Sequence, residues 1–109
     1  MVRKDLSGPQ IAVQATHAAI EIARNSHISP NLDHPSVVLC GADNESKLRK
    51  CLANIQSLGV ICKPFFEADF DGEMTAFATE PVFGEARRPF RKLQLIKPSD
   101  MACLERGVA

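Results

Sequence analysis

The sequence predicts a small α/β domain. Three observations carry that expectation: a long, mostly apolar helix from Pro9 to Asn25, a strand, helix and strand between Ser36 and Phe66, and a further strand from Met74 to Glu80. Strand, helix and strand within about thirty residues make a βαβ unit with a right-handed crossover.

Taken in order, Met1 to Lys4 leave room only for a short first strand before the turn at Asp5 to Gly8. Pro9 suits the first helical position, where its missing N–H costs nothing, with Ser7 or Gly8 as the cap and Asn25 as the stop. Gln10, Gln14, His17, Glu21 and Arg24 recur at i, i+4, i+7, i+11 and i+14, so they form one stripe. Apart from Thr16 the residues between are Ile, Val or Ala. A helix apolar around most of its circumference is expected to be covered on several sides, with the stripe as its one free edge. Two amides and an imidazole on that edge suit the wall of a site.

Ser26 to Pro35 reads as a connecting loop with Pro30, Asn31 and Asp33, and His27 and His34 as surface residues. Ser36 to Ala42 is a short apolar run with β-branched residues, the pattern of a strand covered on both faces with parallel neighbours. Asp43 or Asn44 then caps a second helix, whose Leu48, Cys51, Leu52, Ile55 and Leu58 share one face and whose stop is Gly59. Lys47, Arg49 and Lys50 near its start read as a solvated face, with a phosphate contact as the alternative. Val60 to Phe66 is the next strand, placed at an edge or ended early by Pro64. The acidic loop Glu67 to Glu73 follows, outside the carboxyl end of that strand, where open α/β sheets bind ligands. Pro81 to Arg91 holds a short helix broken by Pro89, and Leu93 to Ile96 a last strand. The expected division is a domain over residues 1–96 and a tail over 97–109, in which Met101, Cys103 and Leu104 are the residues able to dock.

Thirteen basic and thirteen acidic residues leave no global field to draw the chain onto nucleic acid or membrane. A charged partner must be met locally. Arg87, Arg88, Arg91, Lys92 and Lys97, flanked by Phe83 and Phe90, form the one basic cluster and suit a phosphate backbone. Cys40, Cys51, Cys62 and Cys103 include no C-x-x-C pair, and read as reduced core residues of an intracellular protein. No apolar run approaches a membrane span and the N-terminus lacks the apolar core of a signal peptide, so the expected location is cytoplasmic.

No dinucleotide fingerprint, P-loop or nucleophile elbow is present, and no cofactor is expected. Asp69, Asp71 and Glu73 imitate the opening of a calcium loop, but the closing bidentate Glu and the flanking helices are missing, so no metal is expected. What remains is His17 beside Gln10 and Gln14, the carboxylate loop, and Thr75 opening the next strand. An imidazole takes a proton from water at neutral pH, a carboxylate orients it, and amide N–H groups hold a developing oxyanion. That inventory serves ester hydrolysis by an activated water, and equally a binding site without chemistry.

Arg3-Lys4-Asp5-Leu6, the segment Gln10 to Ala19 with Gln14 and His17, Pro35 to Leu39, Ser57 to Val60 and Thr75 to Pro81 together resemble the second class of peptidyl-tRNA hydrolase, found in archaea and eukaryotes and with divergent bacterial relatives. Order and approximate spacing match from Arg3 to about Ile96. The resemblance implies a single three-layer domain, a mixed four-stranded sheet with helices on both faces, cleavage of the ester joining a peptide to tRNA, a cytoplasmic location and a possible homodimer. Where the family has a lysine this chain has Gln10, and Glu67 matches the family's aspartate with one more methylene. Thr75 matches the threonine opening the family's final T-x-x-x-x-x-P segment. On this resemblance His17 acts with Glu67 on a water, Gln10, Gln14 and Thr75 position the ester, Asp69 flanks the substrate, and Arg87, Arg88, Arg91 and Lys92 hold the tRNA. Two rival expectations keep the fold: a catalytically inactive RNA- or ligand-binding module, and a hydrolase of small molecules.

Overall fold

The structure, a computed structural model, describes residues 1–25 and 36–105. The loop expected from Ser26 to Pro35, with His27 and His34, lies outside the described residues. The elements are β1 (Val2–Arg3), α1 (Gly8–Asn25), β2 (Gly41–Ala42), α2 (Glu45–Ser57), β3 (Cys62–Glu67), β4 (Glu73–Thr79) and α3 (Pro98–Ala102), with 3-10 segments at Ala68–Phe70 and Gly84–Lys92.

One mixed sheet carries the strands in the order β2-β1-β4-β3. β1 is parallel to β2, and β4 is antiparallel to both β1 and β3. β1, β2 and β3 therefore run the same way. The path from β1 to β2 moves toward one edge, and the path from β2 to β3 reverses across the whole sheet. Crossovers of one hand must then put α1 and α2 on opposite faces. Two separate cores result, one of Val2, Leu6, Ile11, Ala18, Phe70 and Ala76 under α1, the other of Ala42, Leu48, Ile55, Cys62, Met74 and Phe77 under α2. The expected βαβ unit is present in direction, but β1 and β4 lie between its two strands.

Local chemistry accounts for the helix boundaries. The Asn44 side chain accepts from the Lys47 N–H at 3.0 Å, and Gly59 takes the positive φ that ends α2. Lys47 and Arg49 pair with Asp43 and Glu45 along the solvated side. At the β3 edge the Ile61 carbonyl accepts from the Glu80 N–H, so the backbone groups of Cys62 and Pro64 turn outward. Pro64 withholds the N–H that an added strand would use, which blunts the edge.

Four expectations need correction. Only Gly41 and Ala42 of the run Ser36 to Ala42 are strand, and Val37 is 89% exposed. β1, with two residues, offers no ladder to anything earlier. Leu93 to Ile96 is not a strand; Leu95 makes a single antiparallel bridge to Cys40, with flanking bonds from Gly41 to Gln94 and from Ile96 to Leu39. The tail docks through backbone rather than through Met101, Cys103 or Leu104, whose side chains are exposed. The Gly8 N–H donates to the Cys103 carbonyl, and a Cβ on Gly8 would fall 1.8 Å from the Met101 carbonyl oxygen. Finally, α1 is not covered on several sides. Val13 and Ile20 are 50% and 47% exposed, while Gln14 is buried. The helix lies on one sheet face with Gln14 turned inward, because the sheet supplies partners for its amide and apolar side chains tolerate exposure.

No helix among the described residues is long and apolar enough to cross a membrane. Burial pushes the Cys62 thiol up to about 11 and raises Cys40 and Cys51 as well. Cys103, exposed, is expected to react first with a thiol reagent at pH 8, and Cys40 and Cys62 only after denaturant, as counted by absorbance. Gly8→Ala is expected to lower stability by about 1–3 kcal/mol in urea melts, since the methyl group would displace α3.

Candidate functional site

The residues of interest meet where the start of α1 faces the loop between β3 and β4. Ser7 and Gln10 form a reciprocal cap there: the Gln10 N–H donates to Ser7 Oγ at 3.3 Å and the Ser7 N–H to Gln10 Oε1 at 3.1 Å. The spacing Ser-x-x-Gln is the capping-box pattern. It fixes Gln10 as a helix-closing residue, leaving its amide NH2 for the site.

β4 supplies the second component through an irregularity. Phe65 pairs with Ala76 and Phe66 with Met74, so Thr75 is the extra residue of a β-bulge. The bulge turns Thr75 and Ala76 toward α1 while Met74 and Phe77 pack on the α2 side. Thr75, fully buried, donates its hydroxyl to Gln14 Oε1 at 2.6 Å. Gln14 Nε2 in turn donates to Glu67 Oε1 at 3.1 Å. A hydroxyl, an amide and a carboxylate from β4, α1 and β3 are thus joined in one line.

The loop beyond Glu67 is held by three devices. Phe70 is buried in the core under α1, Asp71 and Gly72 take positive φ, and the Gly72 N–H closes onto the Glu67 carbonyl at 2.9 Å. Glycine is suited to the second of those positions because it has no Cβ to clash. The result is a cleft of about 440 Å³ lined by Pro9, Gln10, Val13, Gln14, Glu67, Asp69 and Phe70.

Of the expected catalytic residues, Gln10, Gln14 and Glu67 line this cleft and Thr75 stands behind it. Asp69, expected to flank substrate, lines it too. His17 does not. Its ring stacks on Phe65, centroids 4.6 Å apart and planes 10° from parallel, and borders a shallower groove of about 260 Å³ with Ala12, Val13, Thr16 and Ile20. Among the described residues it makes no hydrogen bond, and the partner of Glu67 is Gln14. Arg87, Arg88, Arg91 and Lys92 are exposed and line neither cleft nor groove. Their segment packs through Phe90 and Leu93 on the α2 side.

Sequence reasoning placed Arg3 in the family resemblance but gave it no role. Its guanidinium is buried, makes a two-pronged pair with Asp5 at 2.9 and 2.8 Å, and donates to Glu73 Oε1 at 2.7 Å. These partners hold it more firmly protonated than an ordinary arginine, Asp5 foremost. Its charge is directed at Asp5 and Glu73 and not into the cleft. Glu73 is thereby removed from any cation loop with Asp69 and Asp71, and among the described residues no group of three or more candidate ligands converges. The signal for Arg3 was available only as a basic residue in a short strand. The bulge left no sequence signal.

The chain matches no known family model and no curated protein. Thr75→Val is expected to cost about 1–3 kcal/mol by thermal or urea melts, because it leaves the buried Gln14 carbonyl unpartnered.

Proposed function

We propose that this protein hydrolyses an acyl ester in the cleft, in the manner of the peptidyl-tRNA hydrolases its sequence resembles. The observation that carries this reading is the line from Thr75 through Gln14 to Glu67, which aims a carboxylate of fixed orientation at a cleft of ligand size. A base held by a second group, itself held by a third, is the arrangement that proton abstraction from water requires. Glu67 takes a proton from a water whose oxygen adds to the ester carbonyl. The bond to the leaving alcohol oxygen then breaks, and that oxygen recovers the proton. The second Nε2 hydrogen of Gln14 and the free amide of Gln10 are the donors available to the oxyanion.

In this reading His17 is the flat wall of the neighbouring groove and not the base. A tRNA body would reach Arg87, Arg88, Arg91 and Lys92 only by passing from the cleft to the α2 side of the molecule. The rival reading, a binding module without chemistry, is favoured by one specific observation: among the described residues no Lys, Arg or His lines the cleft. Family members have a lysine where Gln10 closes the helix.

The test is acyl release from a charged tRNA, offered both as aminoacyl-tRNA and as its N-acetylated form. Glu67→Gln is expected to lower the rate by a factor of about 100 to 10,000, the usual contribution of a general base, while His17→Ala leaves it within about threefold. Release of neither ester above the spontaneous rate would leave the binding module standing.

A further inference from the structure

Resting on that reading, we infer that the acyl group taken by the cleft carries a protonated amine, held by Asp69 while Glu67 addresses the ester. The argument is one of charge and donor supply. Glu67 and Asp69 both line the cleft, two residues apart across the end of β3 and the turn that follows, and among the described residues no cationic side chain lines it with them. Among the described residues the Glu67 side chain is met by the neutral amide of Gln14 alone. Asp69 is exposed and has no ion pair or hydrogen-bonded partner among the described residues. The buried guanidinium of Arg3 in β1 is already paired with Asp5 and Glu73.

An anionic ligand would need N–H donors, and helix starts commonly supply them. Here the first turn of α1 has no free backbone N–H to offer. The Gly8 N–H is bonded to the Cys103 carbonyl, Pro9 has no N–H, the Gln10 N–H is bonded to Ser7 Oγ and the Ile11 N–H to the Ser7 carbonyl. A phosphate or a substrate carboxylate in the cleft would face two carboxylates with no free backbone N–H from the first turn of α1. An ammonium group finds the opposite situation. The remaining wall, Pro9, Val13 and Phe70, is apolar and suits a side chain of the acyl group. Gln14 is 3% exposed and keeps one amide hydrogen without a partner, placed to meet a carbonyl oxygen. Carboxylate for the amine, amide for the carbonyl and an apolar wall for the side chain together describe an aminoacyl group with its amine free.

The experiment titrates the protein with leucinamide and with N-acetyl-leucinamide, following the backbone resonances of Val13, Gln14 and Phe70 by NMR. Leucinamide is expected to bind at least about tenfold more tightly than its acetylated form, the value of one charge-assisted hydrogen bond. In Asp69→Asn that preference is expected to shrink to within about threefold. Equal affinity for the two amides, tighter binding of the acetylated one, or binding of neither would overturn the inference. Asp69 is exposed and without side-chain partners among the described residues, so its variant tests the ligand and not the fold. Amine-selective binding supports the inference whether or not either charged tRNA is hydrolysed, which keeps its failure distinct from that of the hydrolase reading.

Discussion

A glutamine with 3% exposure must find partners for both ends of its amide inside the protein, and Gln14 finds them on two different strands. Thr75 can reach it only because β4 carries an extra residue, and Glu67 only because β3 extends one residue beyond the bulge pairing. The amide therefore ties the rotation of α1 to the register of the β3–β4 pair. If either partner withdrew, a buried polar group would be left bare at a cost comparable to a substantial fraction of a small domain's stability. The same tie explains why the helix shows apolar residues to the outside. Turning Val13 and Ile20 inward would turn Gln14 out and strand Thr75, so the exposed apolar face follows from the polar contact.

The other half of the frame is electrostatic. β1 contributes only two residues to the centre of the sheet, too few for backbone ladders to hold β4 alone. The Arg3 guanidinium crosses from β1 to Glu73 at the start of β4 while Asp5 clasps it from the turn below. Nearby the Glu45 carboxylate accepts from the Met74 N–H at 2.7 Å, which satisfies a backbone donor beside the bulge. A buried charge paired in this way resists removal of either partner more than it adds to stability outright. The bulge that positions Thr75 is thus held from both faces of the sheet.

These two devices mark how far the sequence could be read. α1 and α2 were legible because their period is long and their caps are chemical: Asn44 and Gly59 sit where a helix must start and stop. The run Ser36 to Ala42 misled because apolar composition cannot say how much ladder a neighbour provides, and β1 is only as long as Val2 and Arg3. Gln10, Gln14, Glu67 and Asp69 were legible as a group, since helix spacing and the position of an acidic loop at a strand end are both local facts. The pairing among them was not. It depends on a bulge, and insertion of one residue into a ladder reverses which face a side chain serves without changing composition or period. His17 lay on the right stripe, but one further turn along the helix carries it past Glu67 and onto Phe65.

Gln10 shows why the start of α1 cannot serve every purpose at once. Its carbonyl oxygen accepts from the Ser7 N–H, and a lysine at the same position has donors only, so the cap and a cation are exclusive uses of one residue. With glutamine there, the helix start is closed and its first amides are occupied. Among the described residues the cleft in front of it then has only carboxylates for charge. A lysine would open the cap, partly neutralise Glu67 and Asp69, and make the cleft hospitable to phosphate. One side chain therefore couples the stability of the helix start to the sign of the ligand that the cleft can hold. A change of charge at Gln10 therefore alters the helix start together with the cleft, whereas a change at Asp69 alters the cleft alone.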